Sequence, residues 1–290
     1  MRAMTGTLIT VAPTGAESTR DQVPTLPTTL AELVETAERC EAAGAGMIHV
    51  HIRDDDGLPT LDSIRLADTV AALREATTLL VQLSTGGSVH DAYADRLAVL
   101  DAAPDSCSLT LGTVNFGDDV FMNPWPFVCE LYERTQTAQV VPEFELFDIG
   151  QVAALHRLLD RFGLPYGGRV HCDLVMGVPG GMPGDAATLV AAVQALPDVT
   201  TSWSATGIGR AHLPILAAAL AMGGHLRVGM EDNLMFARGV PVQSNADLVE
   251  RAAGLASTLQ RSPLSCEQAR SLLAVKDRRR RAGQRREGAV

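Results

Sequence analysis

The chain has 290 residues, 46% of them hydrophobic, and a formal net charge of −10; this is enough apolar material for a sizeable core, without the apolar deficit of a disordered chain. The charge is uneven, because residues 276–290 hold seven basic and two acidic side chains, a surplus of five, which leaves about −15 for the body. An acidic body argues against nucleic acid as a partner, since phosphate binding needs a basic face, and no apolar run reaches the ~18 residues of a spanning helix.

The N-terminus runs into a strand-like segment with no signal-peptide pattern. The five cysteines (Cys40, Cys107, Cys129, Cys172, Cys266) are odd in number and widely spaced. They read as reduced, buried thiols of a cytoplasmic protein. The basic stretch 276–290 reads as a solvated, disordered tail.

Strand-like and helix-like segments alternate throughout. Leu8 to Ala12 is a first strand, ended by Pro13-Thr14-Gly15. Thr29 caps a helix over 30–43, with Leu30, Leu33, Val34 and Ala37 at helical spacing. The strand around Met47–Ile52 follows, then a helix over 62–76, a strand over 79–83 and a helix over 91–100. Strands over 106–111, 139–147, 169–176, 200–205 and 225–231 alternate with helices over 125–134, 149–162, 185–196 and 214–222. A long helix over 245–259 and a short one over 265–273 close the chain. Eight strand–helix pairs predict an α/β fold of the (β/α)8 TIM-barrel type, with a C-terminal helical extension. Residues 1–275 are expected to form one catalytic domain. Tandem halves of a doubly wound sheet are the alternative, but no Gly-x-Gly-x-x-Gly follows the first strand.

In a barrel the chemistry sits at the C-terminal ends of the strands, and the unusual residues fall there. His49 and His51 on strand two share a face. Arg227, Gly229 and Glu231 share one on strand eight. Two His and one carboxylate, with a position left for water or substrate, make the donor set of a catalytic zinc site; without thiolates or redox motifs, zinc is favoured over copper or iron. The alternative is that Glu231 forms a structural ion pair with Arg227. Glu143 and Glu145 share a face on strand five, and Ser108 lies on strand four. Ser84-Thr85-Gly86-Gly87 ends strand three, either as a plain turn or as a set of backbone N–H groups for a carboxylate.

These motifs, together with Thr14-Gly15-Ala16-Glu17, Gly112-Thr113-Val114-Asn115-Phe116-Gly117-Asp118, Gly177-Val178-Pro179-Gly180-Gly181, Gly207-Ile208-Gly209-Arg210 and Arg227-Val228-Gly229-Met230-Glu231-Asp232-Asn233, resemble the zinc-dependent β-keto acid cleavage enzymes over residues 7–273. The resemblance implies a tetrameric TIM barrel that converts a β-keto acid and acetyl-CoA into acetoacetate and a new acyl-CoA. It places Zn2+ on His49, His51 and Glu231, catalysis on Arg227, Asp232, Glu143 and Ser84, and substrate binding on Glu17, Ser84, Gly86, Gly87 and Ser108. The family account assigns proton removal to Arg227 with Asp232; arginine barely deprotonates, which leaves Asp232 or Glu143 as the base. Glu17 occupies the turn where the aminohexanoate-cleaving members bind a substrate ammonium. The implied substrate is therefore 5-amino-3-oxohexanoate, with 3-aminobutanoyl-CoA as product; the alternative is a solvent-facing loop Glu. Two other readings are a metal-dependent hydrolase of the amidohydrolase type, which also uses His-x-His in a barrel, and a non-enzymatic metal-binding scaffold.

Overall fold

The computed structural model describes residues 6–278. Eight parallel strands close into a barrel: β1 (Ile9–Val11), β2 (Met47–Val50), β3 (Leu80–Leu83), β4 (Ser106–Thr110), β5 (Val141–Leu146), β6 (Val170–Met176), β7 (Thr200–Gly207) and β8 (His225–Val228). Each strand pairs with its neighbours in the chain, and β1 pairs with β8 to close the ring. The expected (β/α)8 barrel is the fold found.

Alternation along the strands divides the structure into an outer shell and an inner column. Ile9, Val11, Ile48, Val50, Val81, Leu83, Cys107 and Leu109 face outward into the main apolar core, under the helices. Each such buried Leu, Ile or Val contributes about 1.5–3 kcal/mol. The inner faces carry a separate apolar cluster at one end. There Leu8, Met47, Leu80 and Val141 pack against Leu264, Ala269, Leu273 and Val275, so the helix over Cys266–Leu273 plugs the barrel bottom.

The helices begin where cap residues satisfy their first N–H groups. Thr29 and Glu32 form a capping box at the helix Leu30–Ala43, and Ser244 with Asp247 does the same at Asn245–Thr258. Asp62, Asp148 and Asp185 cap three further helices. The helix over Trp125–Ala138 runs one turn longer than the pattern predicts, and Gln139 ends it in the left-handed region at φ 57°. β5 consequently starts at Val141 rather than 139. β8 stops at Val228, three residues short of Glu231, for a reason that shapes the site.

Three antiparallel hairpins extend the connections after β2, β4 and β8: Ile52–Arg53 with Pro59–Thr60, Val114–Phe116 with Asp119–Phe121, and Met235–Ala237 with Val240–Pro241. Of the stretch read as a tail, residues 279–290 lie outside the described residues. Lys276 Nζ sits 5.2 Å above the Tyr166 ring, and Arg278 donates to the Ala103 and Ala138 carbonyls at 3.2 Å each. All five cysteines are unpaired, four of them buried. Among the described residues no helix is long and apolar enough to cross a membrane.

Candidate active site

The chain leaves β8 through Gly229, whose φ of +152° and close approach to β1 exclude a side chain; a Cβ there would lie 1.9 Å from the Ala12 carbonyl oxygen. The turn that follows is fastened at both ends. Glu231 N–H donates to Ala12 O at 3.2 Å, and Asn245 Oδ1 accepts from Met230 N–H while its Nδ2 donates to Pro13 O. This turn, rather than strand parity, swings Glu231 over the barrel mouth toward His49 and His51.

Glu231 Oε1 lies 3.8 Å from His49 Nε2 and 3.6 Å from His51 Nε2. One ligand atom from each of the three residues lies within 4.8 Å of the others. The second carboxylate oxygen, Oε2, is buried without a hydrogen-bond partner. Burial, reinforced by the positive charge of Arg227, pushes His49 down to about 4, so its ring is neutral with a lone pair to give. Burial works against the Glu231 carboxylate, but the Arg227 cation beside it holds it at about 2. Two neutral imidazoles and an ionised carboxylate with an unsatisfied oxygen fit a borderline divalent ion.

Arg227 lies beside this trio, fully buried among carboxylates. It donates to Asp232 through Nε and Nη2 (3.1 and 3.0 Å), to Glu145 through Nη1 (3.1 Å) and to Glu231 through Nη2 (2.5 Å). These anions overcome the desolvation and hold its pKa well above the usual range, so it remains a cation. Burial pushes Asp232 up, against the pull of Arg227. Glu145 is pushed up to about 8 by burial, which Arg227 only partly offsets.

These groups line a cavity of about 510 Å³ at the C-terminal mouth of the barrel. On one side the Ser84–Gly87 turn faces it; Gly86 N–H donates to Ser84 Oγ at 3.1 Å. Behind the turn, Arg96 donates to the Thr85 carbonyl at 2.7 Å from between the Phe121 and Phe127 rings. Phe121, Phe147, Val175 and Val178 form an apolar wall. Glu17, Asp118 and Asp119 stand at the rim, and Arg53 holds the turn that bears Glu17 by donating to the Gly15 and Ser18 carbonyls at 2.7 and 2.9 Å.

His49, His51, Glu231, Arg227, Asp232, Ser84, Gly86, Gly87 and Glu17 therefore converge on one cavity. Two residues selected from the sequence do not line it. Ser108 lies behind the turn, where its Oγ accepts from Thr85 N–H at 3.3 Å. Glu143 lies deeper in the barrel, 3.1 Å from His171 and 3.2 Å from Gln82. The carboxylate of β5 that reaches the cavity is Glu145, one inward position nearer the rim, which strand parity alone does not separate from Glu143. Gln82, a lone amide on a strand, carries no motif of its own in the sequence.

The sequence matches the family model described as beta-keto acid cleavage enzyme over residues 7–275. The chain is 36% identical to the 3-keto-5-aminohexanoate cleavage enzyme of Fusobacterium nucleatum subsp. nucleatum, over 93% of this chain and 98% of that protein. It is 34% identical to the 3-oxoadipate:acetyl-CoA acetyltransferase of Cupriavidus necator, over 92% of this chain and 94% of that one. Among solved structures, apo ObcA superposes with a TM-score of 0.74 at 20% identity, over 87% of this chain and 66% of ObcA.

Proposed function

Because the chain belongs to the β-keto acid cleavage enzyme family, we propose that it exchanges the acyl group of a β-keto acid with acetyl-CoA, giving acetoacetate and a new acyl-CoA. The observation that carries this reading is the convergence of His49, His51 and Glu231 beside the Arg227–Asp232 pair at the floor of one cavity. The three would hold Zn2+, which when bound supplies Lewis-acid polarisation of the substrate's 3-oxo group and carboxylate.

The protein's own groups supply the rest. Ser84 Oγ and the Gly86–Gly87 backbone face the cavity where a substrate carboxylate would sit. Asp232, oriented by two donors of Arg227, takes a proton from C2. Arg227 remains charged and stabilises the enolate oxygen. The C2 carbanion attacks the acetyl thioester, and CoA thiolate leaves. The thiolate then attacks C3, the C2–C3 bond breaks, and Asp232 returns the proton to C2 of the departing acetoacetate. Glu143 has no place in these steps, since it does not reach the cavity.

The substrate of this reading is 5-amino-3-oxohexanoate, giving 3-aminobutanoyl-CoA. It rests on Glu17 at the rim of the cavity and on the similarity to the Fusobacterium enzyme. The reading further includes a homotetramer and, on the five free thiols, a cytoplasmic setting. A hydrolase centre of the amidohydrolase type would need more histidines at the rim; His171 is instead engaged below with Glu143. The test is a panel of β-keto acids with acetyl-CoA, with acyl-CoA products read by mass. Acetoacetate and 3-aminobutanoyl-CoA are expected from the amino substrate; no acyl-CoA product from any β-keto acid, or hydrolysis without acetyl-CoA, overturns the reading.

A further inference from the structure

Below the cavity floor, a chain of buried polar side chains crosses the barrel from the metal-binding trio to the opposite wall. Gln82 Oε1 lies 2.6 Å from His49 Nδ1. Gln82 Nε2 donates to Ser106 Oγ and to Glu143 Oε1, each at 3.2 Å. Glu143 Oε2 is 3.1 Å from His171 Nε2, an ion-pair contact without hydrogen-bond alignment, and His171 Nδ1 is 2.7 Å from Ser202 Oγ. His49, Gln82, Glu143 and His171 are at most 2% exposed, so no solvent competes for these contacts. Strand register aligns the chain: His49 is opposite Gln82 across β2–β3, and Glu143 is opposite His171 across β5–β6.

Hydrogen-bonding capacity gives the chain a direction. An ionised carboxylate can only accept, so Gln82 must turn its NH2 toward Glu143. Its carbonyl oxygen then faces His49, and a carbonyl likewise only accepts. In the neutral ring that a metal ligand requires, one nitrogen carries the hydrogen; here it is Nδ1. The lone pair is left on Nε2, the nitrogen that faces Glu231 and His51.

We propose that Gln82 is a positioning residue that selects the Nδ1–H tautomer of His49 and aims its Nε2 at the ion, and that Glu143, anchored by His171, sets the direction of the Gln82 amide. This rests on the metal reading above and gives Glu143 a role the catalytic steps leave vacant. Partners of this kind on metal-bound histidines typically contribute ~10–100-fold to metal affinity.

The native chain supplies the first test. In the nitrogen-15 spectrum of its histidines, assigned with His49→Gln, the apo-protein should show His49 protonated at Nδ1, and addition of Zn2+ should shift Nε2. An Nε2–H tautomer overturns the proposal. Zn2+ affinity of the apo-protein, measured against a chelator, is the second test. Gln82→Leu should weaken it ~10–100-fold. The exchange Gln82→Glu with Glu143→Gln restores an acceptor for His49, keeps one carboxylate in the layer and should recover most of the loss, which filling space alone would not do. A folded Gln82→Leu protein with unchanged affinity overturns the proposal, as does an exchange variant no better than Gln82→Leu. If the native chain takes up no Zn2+, the metal reading falls, and the histidine spectrum still decides the tautomer.

Discussion

The two ends of the barrel interior are built from the same strands by opposite rules. At the bottom, Leu8, Met47, Leu80 and Val141 meet the C-terminal helix in an apolar plug. One to two inward positions higher, the same strands present Thr10, His49, Gln82, Ser84, Glu143 and Glu145, all at most 7% exposed. The plug is cohesive without direction; any side chain of suitable volume serves, at a cost set by the cavity left behind. The polar layers are stable only while nearly every donor finds an acceptor, because an unpaired polar group in such a place costs about 1–3 kcal/mol and an unpaired charge more. The fold is thus secured by the lower half and by the shell outside the strands, while the upper half carries paired charge held ready for chemistry.

Substitutions that strike one half and spare the other test this division. The largest effect belongs to the polar half: His49→Ala should lose bound metal and turnover together, read by metal analysis beside the acetoacetate assay. Full turnover without metal would remove the ligand assignment. Next comes a matched pair. Arg227→Met leaves Glu145, Asp232 and Glu231 without their shared cation and should cost about 3–5 kcal/mol of stability together with activity. Leu80→Ala, in the plug, should cost about 2–5 kcal/mol in denaturant melts with KM and kcat unchanged. A plug substitution that altered KM would show that the two halves are coupled.

A smaller effect marks the seam between them. His225 Nδ1 accepts from the Leu8 N–H at 3.0 Å, just above the plug. Burial, reinforced by His171 and Arg261, pushes this ring down to about 3. With the folded pKa depressed below the unfolded value near 6.5, the unfolded chain binds the extra proton between those limits. Stability from this group is therefore complete above about pH 6.5 and falls as pH drops toward 3, by at most about 1.4 kcal/mol per pH unit. His225→Gln should flatten the slope of urea-melt stability between pH 7 and 5; an unchanged slope would place the titration elsewhere.

The sequence was most legible where function follows strand spacing. His49 and His51 are two residues apart, so their shared face follows from alternation alone, and the strand–helix rhythm set the barrel. It was least legible where depth matters. Glu143 and Glu145 have the same parity, and only the register of β5 with β4 and β6 shows that Glu143 pairs below with His171 while Glu145 stands level with Thr110 and Asp173. Ser108 illustrates the same limit, an inward hydroxyl spent on the Thr85 backbone. Glu231 was picked out by a parity argument although a turn, not a strand, delivers it.

The mildest test falls at the rim, where the buried-charge rules stop applying. Glu17 is exposed and shares the mouth with Asp118 and Asp119. An ammonium group there would be held by an exposed carboxylate in high dielectric, worth about 0.2–1 kcal/mol. Glu17→Ala should therefore raise KM for an amino-bearing β-keto acid by no more than about fivefold, by the tenfold-per-1.4-kcal/mol conversion, while kcat and the KM for neutral β-keto acids stay put. Added salt should shrink the difference, since exposed charges are screened. Equal losses on charged and neutral substrates would mean that Glu17 supports the turn held by Arg53 rather than the substrate. A loss of a hundredfold or more would mean that the rim closes over the substrate and that the mouth obeys the same rules as the barrel interior.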